Sequence, residues 1–404
     1  MTTRPTTENG SQAIPWRSPF LHVILASSLI GVMGVSLLSP VLPALRAAFD
    51  ITDSQVGLII TVYTLPGILL TPFVGLVADR LGRRRTLIPL LFIFGTAGTA
   101  IAVTNTFEMV LVLRFVQGIG ASALITLAIT LIGDYYEGQR QRSIVGINSS
   151  AIGTGAALYP LIGGALAAIR WNVPFLFFGV AFLVGIAAAL ILEEPAVDAP
   201  PSLRTYLKRV VQAVTRRDAF GIYVASFATF FLFYGGVLTA IPLLLTDEYG
   251  VVEPYLGFLL AIVSFSNAIT ASFYGRLEPY FDLPSLVAFG FTCFGLALLG
   301  IRVVTSPAEV GLLLVIFGVG FGIVMPSLNA SIVSLAADHL RASMLGTQTS
   351  MLRIGQTIGP IAFTGVAAVG FEKQLAGYRV VLPVAGLLSI LAAVTGWLYI
   401  SFRS

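Results

Sequence analysis

Two arginines lie inside apolar runs long enough to cross a bilayer: Arg114 in LVLRFVQGIGAS (Leu111 to Ser122) and Arg353 in SMLRIGQTIGP (Ser350 to Pro360). A guanidinium in hydrocarbon costs about 2.5 to 3.5 kcal/mol on insertion scales, so each must face protein or a watery cavity. The chemistry open to them is binding: charge-assisted hydrogen bonds to an anion, or bonds to the carbonyls and amides of neighbouring helices. Arg353 stands too deep in its run to reach an interface by snorkelling, whereas Arg114 follows the start of its run closely enough to do so. Gln117 and Gly118 accompany the first arginine and Gln356 the second; Asn148, Asn267 and Asn329 are three further in-run amides able to line a cavity or bridge helices. Catalytic groups do not assemble. All nineteen acids fall in loops, tails or run ends, His22 and His339 stand far apart near run ends, and Cys293 is the single cysteine. Neither a nucleophilic triad nor a metal cluster nor an intramolecular disulfide can be built from that set, so we expect no enzyme, no metal and no cofactor.

The elements that position these side chains are membrane helices. The chain is 56% hydrophobic and only 10% charged, too little polar surface for a soluble globule. Twelve apolar runs of spanning length lie near 20–45, 55–77, 86–104, 108–133, 143–168, 173–192, 219–245, 255–275, 284–304, 309–336, 342–369 and 380–400. Displacing the chain against itself by 200 positions superimposes Gly57 on Gly257, Gly75 on Gly275, Gly95 on Gly295, Gly118 on Gly318, Gly120 on Gly320, Gly146 on Gly346 and Gly155 on Gly355, with Pro160 on Pro360. Chance gives about two glycine matches at this glycine content, so the chain reads as a gapless duplication. Two parallel repeats of membrane helices imply a secondary transporter with its substrate site between the halves near the bilayer midplane.

Sixteen of the 23 Lys/Arg fall on one side if the N-terminus is cytoplasmic, five fall on the other, and only Arg114 and Arg353 remain inside. Basic loops stay in the cytoplasm, which places both termini there, in the plasma membrane. Residues 1–18 read as a cytoplasmic tail and 193–218 as a linker whose basic second part, SLRTYLKRVVQAVTRRD, has the look of a helix lying on the inner leaflet. The slight basic excess of +4 thus reports topology, and nucleic acid is not an expected partner.

Between runs two and three the chain reads GLVADRLGRRR, Gly75 to Arg85, and here it resembles the major facilitator superfamily, with Gly75, Asp79, Arg80, Gly82 and Arg83 at the positions of that family's loop signature. A carboxylate at a helix end, a glycine turn and a cluster of guanidiniums can bond helix termini and acids in one conformation only, biasing the balance between two states. The blander reading is a positive-inside anchor. The second half keeps only GRLEPYFD, with Pro279 opposite Asp79, so the expected gate is asymmetric. Arg114, Gln117, Gly118 and Gly120 match a second signature, and the resemblance implies a role in proton coupling or in the cavity's polar network.

In run five, Gly146, Gly155 and YPLIGG, with Pro160, Gly163 and Gly164, resemble the antiporter signature of the family's proton-coupled exporters. Tyr159 departs from it, standing where the signature has glycine. Run eleven repeats the spacing as Gly346, Gly355, Gly359 and Pro360, with Phe363 opposite Gly163. Glycines four apart let helices approach and an in-helix proline bends them, a place for one helix to pivot on another; ordinary tight packing is the alternative. The resemblance covers essentially the whole chain. It implies an all-α membrane protein of the major facilitator fold, two pseudo-symmetric six-helix bundles over 19–192 and 219–402, monomeric and working by alternating access.

The expected activity is proton-coupled efflux of small amphipathic molecules, drug-like or metabolite, of the kind that confers multidrug resistance. The acid-free cavity conflicts with a lipophilic-cation substrate, and uptake or exchange of an organic anion held by the two arginines stands as the alternative. A membrane receptor that has kept the fold and lost transport is the remote one.

Overall fold

In a computed structural model the described residues are 14–195, 211–216, 218–336, 340–369, 371 and 374–401. Residues 1–13 of the expected tail, 196–210 and 217 of the linker, His339, Lys373 and 402–404 lie outside them. Among the described residues there is no strand, and twelve helices are long and apolar enough to span a membrane. We number them α1 (Pro19–Phe49), α2 (Asp53–Leu81), α3 (Arg83–Val103), α4 (Phe107–Tyr135), α5 (Gly138–Ala167), α6 (Val173–Ile191), α7 (Phe220–Tyr249), α8 (Glu253–Leu277), α9 (Leu283–Gly300), α10 (Pro307–Leu335), α11 (Arg341–Val369) and α12 (Gln374–Ser401).

Helix boundaries follow local chemistry. Thr52 and Gln55 form a reciprocal capping box at the start of α2, and Thr106 and Ser306 accept from Met109 and Glu309 backbone amides at the starts of α4 and α10. Several helices outrun their apolar stretches, because helical hydrogen bonds persist beyond the hydrocarbon. α2 is helical to Leu81 and α5 already at Gly138, so Asp79 and Arg80 stand on a helix where the sequence suggested a loop. The break between α2 and α3 is Gly82 alone, at φ 104°, a conformation that L side chains rarely adopt. Asp50 at the end of α1 and Gly250 at the end of α7, one repeat apart, both take left-handed backbone, φ 48° and 62°.

The duplication reappears as packing. Gly118 brings α4 against the Tyr63 carbonyl of α2, and its partner Gly318 brings α10 against the Val263 carbonyl of α8, 2.6 Å from where a Cβ would stand. Gly120 packs on the Leu90 carbonyl of α3 and Gly320 on the Gly290 carbonyl of α9. Gly155 meets Leu29 and Val32 of α1, and Gly355 meets Phe227 and Phe231 of α7. Lipid tails give apolar helices no solvent-driven reason to associate, so these backbone-to-backbone approaches supply the van der Waals contact that holds each bundle.

One irregularity breaks the symmetry. Residues Phe231–Ala240 of α7 are wound as π-helix, and the Thr239 hydroxyl donates 2.7 Å to the Tyr234 carbonyl. The segment packs on α11, where Gly359 approaches the Phe231 carbonyl and Gly235 faces Phe363.

Candidate functional site

The seam between the two bundles has one locked end. α2 faces α11, and α8 faces α5. Gly57 leaves no room beside the Pro360 carbonyl, 3.1 Å from its would-be Cβ, and Gly257 packs in the same way on the Pro160 carbonyl. The two halves therefore make one contact twice, each glycine on the other half's proline. Around this pair the Thr61 hydroxyl donates to the Thr357 carbonyl (2.8 Å), Ser264 to the Ala156 carbonyl (3.1 Å), and Ser39 to the Leu238 carbonyl. At the rim Arg46 bonds Asp53 at 2.6 Å and grips Asp247 across the seam, while the Tyr378 hydroxyl donates 2.8 Å to Asp53, a carboxylate only 1% exposed.

Toward the other end the helices part. Ser264–Ala156 and Arg353–Gly67 are the rungs nearest that end on their seams among the described residues. Beyond them a Cβ at Gly153 or Gly146 of α5, at Gly275 of α8 or at Gly346 of α11 would meet nothing within 4 Å among the described residues. Gly146 and Gly346 thus take no part in close packing in this conformation, whereas Gly155, Gly163, Gly164, Gly355 and Gly359 all press on neighbouring backbone or side chains. Gly163 faces the Leu37 carbonyl of α1, and Gly164 faces the Glu253 carbonyl across the seam.

Arg353 stands on the last rung. Its side chain lies along Gly67 of α2, with Cδ and Nη1 each 3.5 Å from where a Cβ would be, and it donates to Gln356 Oε1 at 3.5 Å. Tyr234 stands near Gln356 and within the electrostatic reach of the guanidinium, while the Tyr63 hydroxyl turns away into the first bundle against Gly34 of α1. The side chain is half-buried, and among the described residues no carboxylate pairs with it. Tyr63 and Tyr234 were not singled out in the sequence; their signal was a phenol inside an apolar run, which ring packing alone also explains.

Arg114 sits elsewhere. It is fully buried inside the first bundle, donating to the carbonyls of Ile59 (3.2 Å) and Gly34 (2.9 Å) and to Gln117 Oε1 (2.7 Å), with the Tyr63 ring 4.0 Å from its Cζ. These bonds tie α1, α2 and α4 together and leave the guanidinium no free face toward a cavity. None of the three asparagines shares a hydrogen bond with Arg353 among the described residues. Asn148 is 1% exposed with both amide atoms unpartnered, Asn267 is half-buried with its backbone against Gly318 and Gly322, and Asn329 is exposed.

At the open end, Arg83 bonds Asp79 at 3.2 Å and Asp134 at the foot of α4. Glu194, placed in the linker by sequence, instead caps α3: its two oxygens accept from the Arg84 and Arg85 amides at 3.2 Å each, a carboxylate on a helix N-terminus. The room it needs is that of the missing side chain at Gly82, whose Cβ would lie 2.5 Å from Glu194 Cδ. All these bonds stay within the first bundle. Arg80 is exposed, and Gly75 lies within α2.

A family model described as Major Facilitator Superfamily matches residues 24–360 and 239–403. The chain is 28% identical over 363 residues to the bacillibactin exporter of Bacillus subtilis, covering 85% of this chain and 89% of that protein. It is 28% identical over 326 residues to a chloramphenicol resistance protein of Pseudomonas aeruginosa, covering 78% and 76%. Among solved structures it is similar to a bacterial homologue of the human lysosomal transporter Spinster, with 17% identity, a TM-score of 0.76 and coverage of 95% and 96%. The shared architecture is the fold of that transporter family.

Proposed function

Because this chain belongs to the Major Facilitator Superfamily, a family of membrane transporters and not of enzymes, we propose that it exports small amphipathic molecules in exchange for protons by alternating access. The observation that carries this reading is the one-ended seam: two bundles locked through Gly57–Pro360 and Gly257–Pro160 and parted beyond Arg353 and Ala156. Single hydroxyl-to-carbonyl bonds and glycine contacts can be undone and remade at low cost, which suits a hinge between two states. With the basic loops in the cytoplasm, the open end faces inward, the posture of an exporter awaiting its cargo. The relatives named for export of bacillibactin and for chloramphenicol resistance support the outward direction. In this reading the protein is a monomer of the plasma membrane, Asp79, Arg80 and Arg83 belong to the gate at the open end, and the glycines and prolines of α5 and α11 are its pivots.

Uptake or exchange of an organic anion is the second reading, favoured by Arg353, which has Gln356 beside it and no carboxylate among the described residues. The experiment that tests both uses purified protein in liposomes under an imposed pH gradient with a pH dye inside, challenged first with lipophilic cations and then with organic anions. Proton movement evoked by added substrate supports the antiporter. Substrate movement with no proton movement overturns the coupling.

A further inference from the structure

We infer that the substrate carries an anionic group and that Arg353 is its binding site, flanked by Tyr234 and Gln356. This deepens the transport reading above and rests on it. The guanidinium offers five N–H donors. One meets a long contact to Gln356, the side chain is half-buried, and no acid stands beside it among the described residues. A charge held that way at mid-span calls for a counter-ion from outside the protein. Its place is the right one for cargo: Arg353 is the last rung of the α2–α11 seam, its stem against Gly67 of the opposite bundle.

The other mid-span arginine makes the contrast. Arg114 spends three of its five donors on Gly34, Ile59 and Gln117 and is fully buried, so it presents no face to a ligand. The wall beside Arg353 is aromatic: Tyr234 packs on Phe230, whose ring stacks on Phe321, while Phe227 stacks on Phe231 beside Gly355. The ligand that fits is an amphiphile with a planar apolar body and a carboxylate or phenolate, the anion on the guanidinium and the Tyr234 phenol near it as a hydrogen-bond partner. Neutralising Arg353 at the seam also removes the charge that occlusion would otherwise bury, so a bound anion favours closure of the open end.

The test compares two probes of one shape and opposite charge, 1-naphthoate and 1-naphthylmethylammonium, by titration calorimetry on the purified full chain. We expect wild-type protein to prefer the carboxylate, Arg353→Gln to weaken that probe about tenfold or more while leaving the amine unchanged or tighter, and Arg353→Lys to weaken it less than Gln does. Equal affinity for the two probes in wild-type protein, or a carboxylate affinity within twofold of wild type in a folded Arg353→Gln variant, overturns the inference. The wild-type comparison decides even if the variant does not fold. Liposome flux separates this from the parent reading: cation-driven proton movement with no carboxylate preference overturns the anion site and leaves the exporter standing, while carboxylate preference with no flux of either probe supports the site and counts against export.

Discussion

At the scale of single residues, the two mid-span arginines share a chemical problem and have different solutions. Arg114 is satisfied by Gly34 and Ile59 carbonyls, residues 80 and 55 positions away, and by Gln117. We expect Arg114→Ala to destabilise the protein by about 2 to 4 kcal/mol, since three buried acceptors lose a charged donor at once, read as a lowered melting temperature in detergent. Probe affinity in the surviving folded fraction should stay at the wild-type value. Asp79→Asn removes one of the two carboxylates that hold Arg83 and should cut liposome flux about tenfold or more without lowering the melting temperature by more than a few degrees. Full flux in that variant argues against a gating role. Depth in the run pointed to Arg353 as the arginine less able to escape to an interface, and it is the one whose hydrogen bond is a single long contact, to Gln356. That Arg114 is internal could not be read, because its acceptors are main-chain carbonyls brought near only by folding. Glu194 was hidden for the same reason: its partners, the Arg84 and Arg85 amides, are more than 100 residues distant.

Between helices, the glycine spacing was the most legible feature of all. A displacement of 200 positions, seen as matched letters, returns as matched contacts: Gly118 and Gly318, Gly120 and Gly320, Gly155 and Gly355, Gly57 and Gly257 each touch the equivalent helix of their half or its opposite. Packing spacing is local, and letters preserve it. The π-helical stretch Phe231–Ala240 was not legible, because FLFYGGVLTA carries no proline and its Tyr234 and Thr239 sit as readily in an ordinary helix, and the winding accompanies close approach to Gly359 and Phe363. The reciprocal seam makes a paired prediction. Gly57→Leu and Gly257→Leu each place a side chain into a facing proline carbonyl, so each should hold the locked end apart. In a Cys293→Ala background, a cysteine introduced at Ser39 should be alkylated faster in either variant than with both glycines intact. An effect from one and none from the other would mean that the two seams do not close together.

For the molecule as a whole, the lock at one end is a small charged cluster. Arg46 serves both Asp53 of its own bundle and Asp247 of the other, and Tyr378 reaches Asp53 from α12. Arg46→Gln should weaken that end and move the population toward the conformation open there, seen as a longer and broader spin-label distance between the α1 and α7 ends. An unchanged distance distribution would show that the glycine seams hold the closure by themselves. Fold class and span count came from composition and repeat; which end is closed did not, because it depends on side chains meeting across the pseudo-symmetry axis. Two bundles joined at one end and splayed at the other form a wedge, and a wedge takes more area in one leaflet than in its opposite. Each turn of an alternating-access cycle would transfer that area from leaflet to leaflet, so the cycle works against the difference in lateral pressure between them, and the lipids of the membrane become a force acting on the equilibrium.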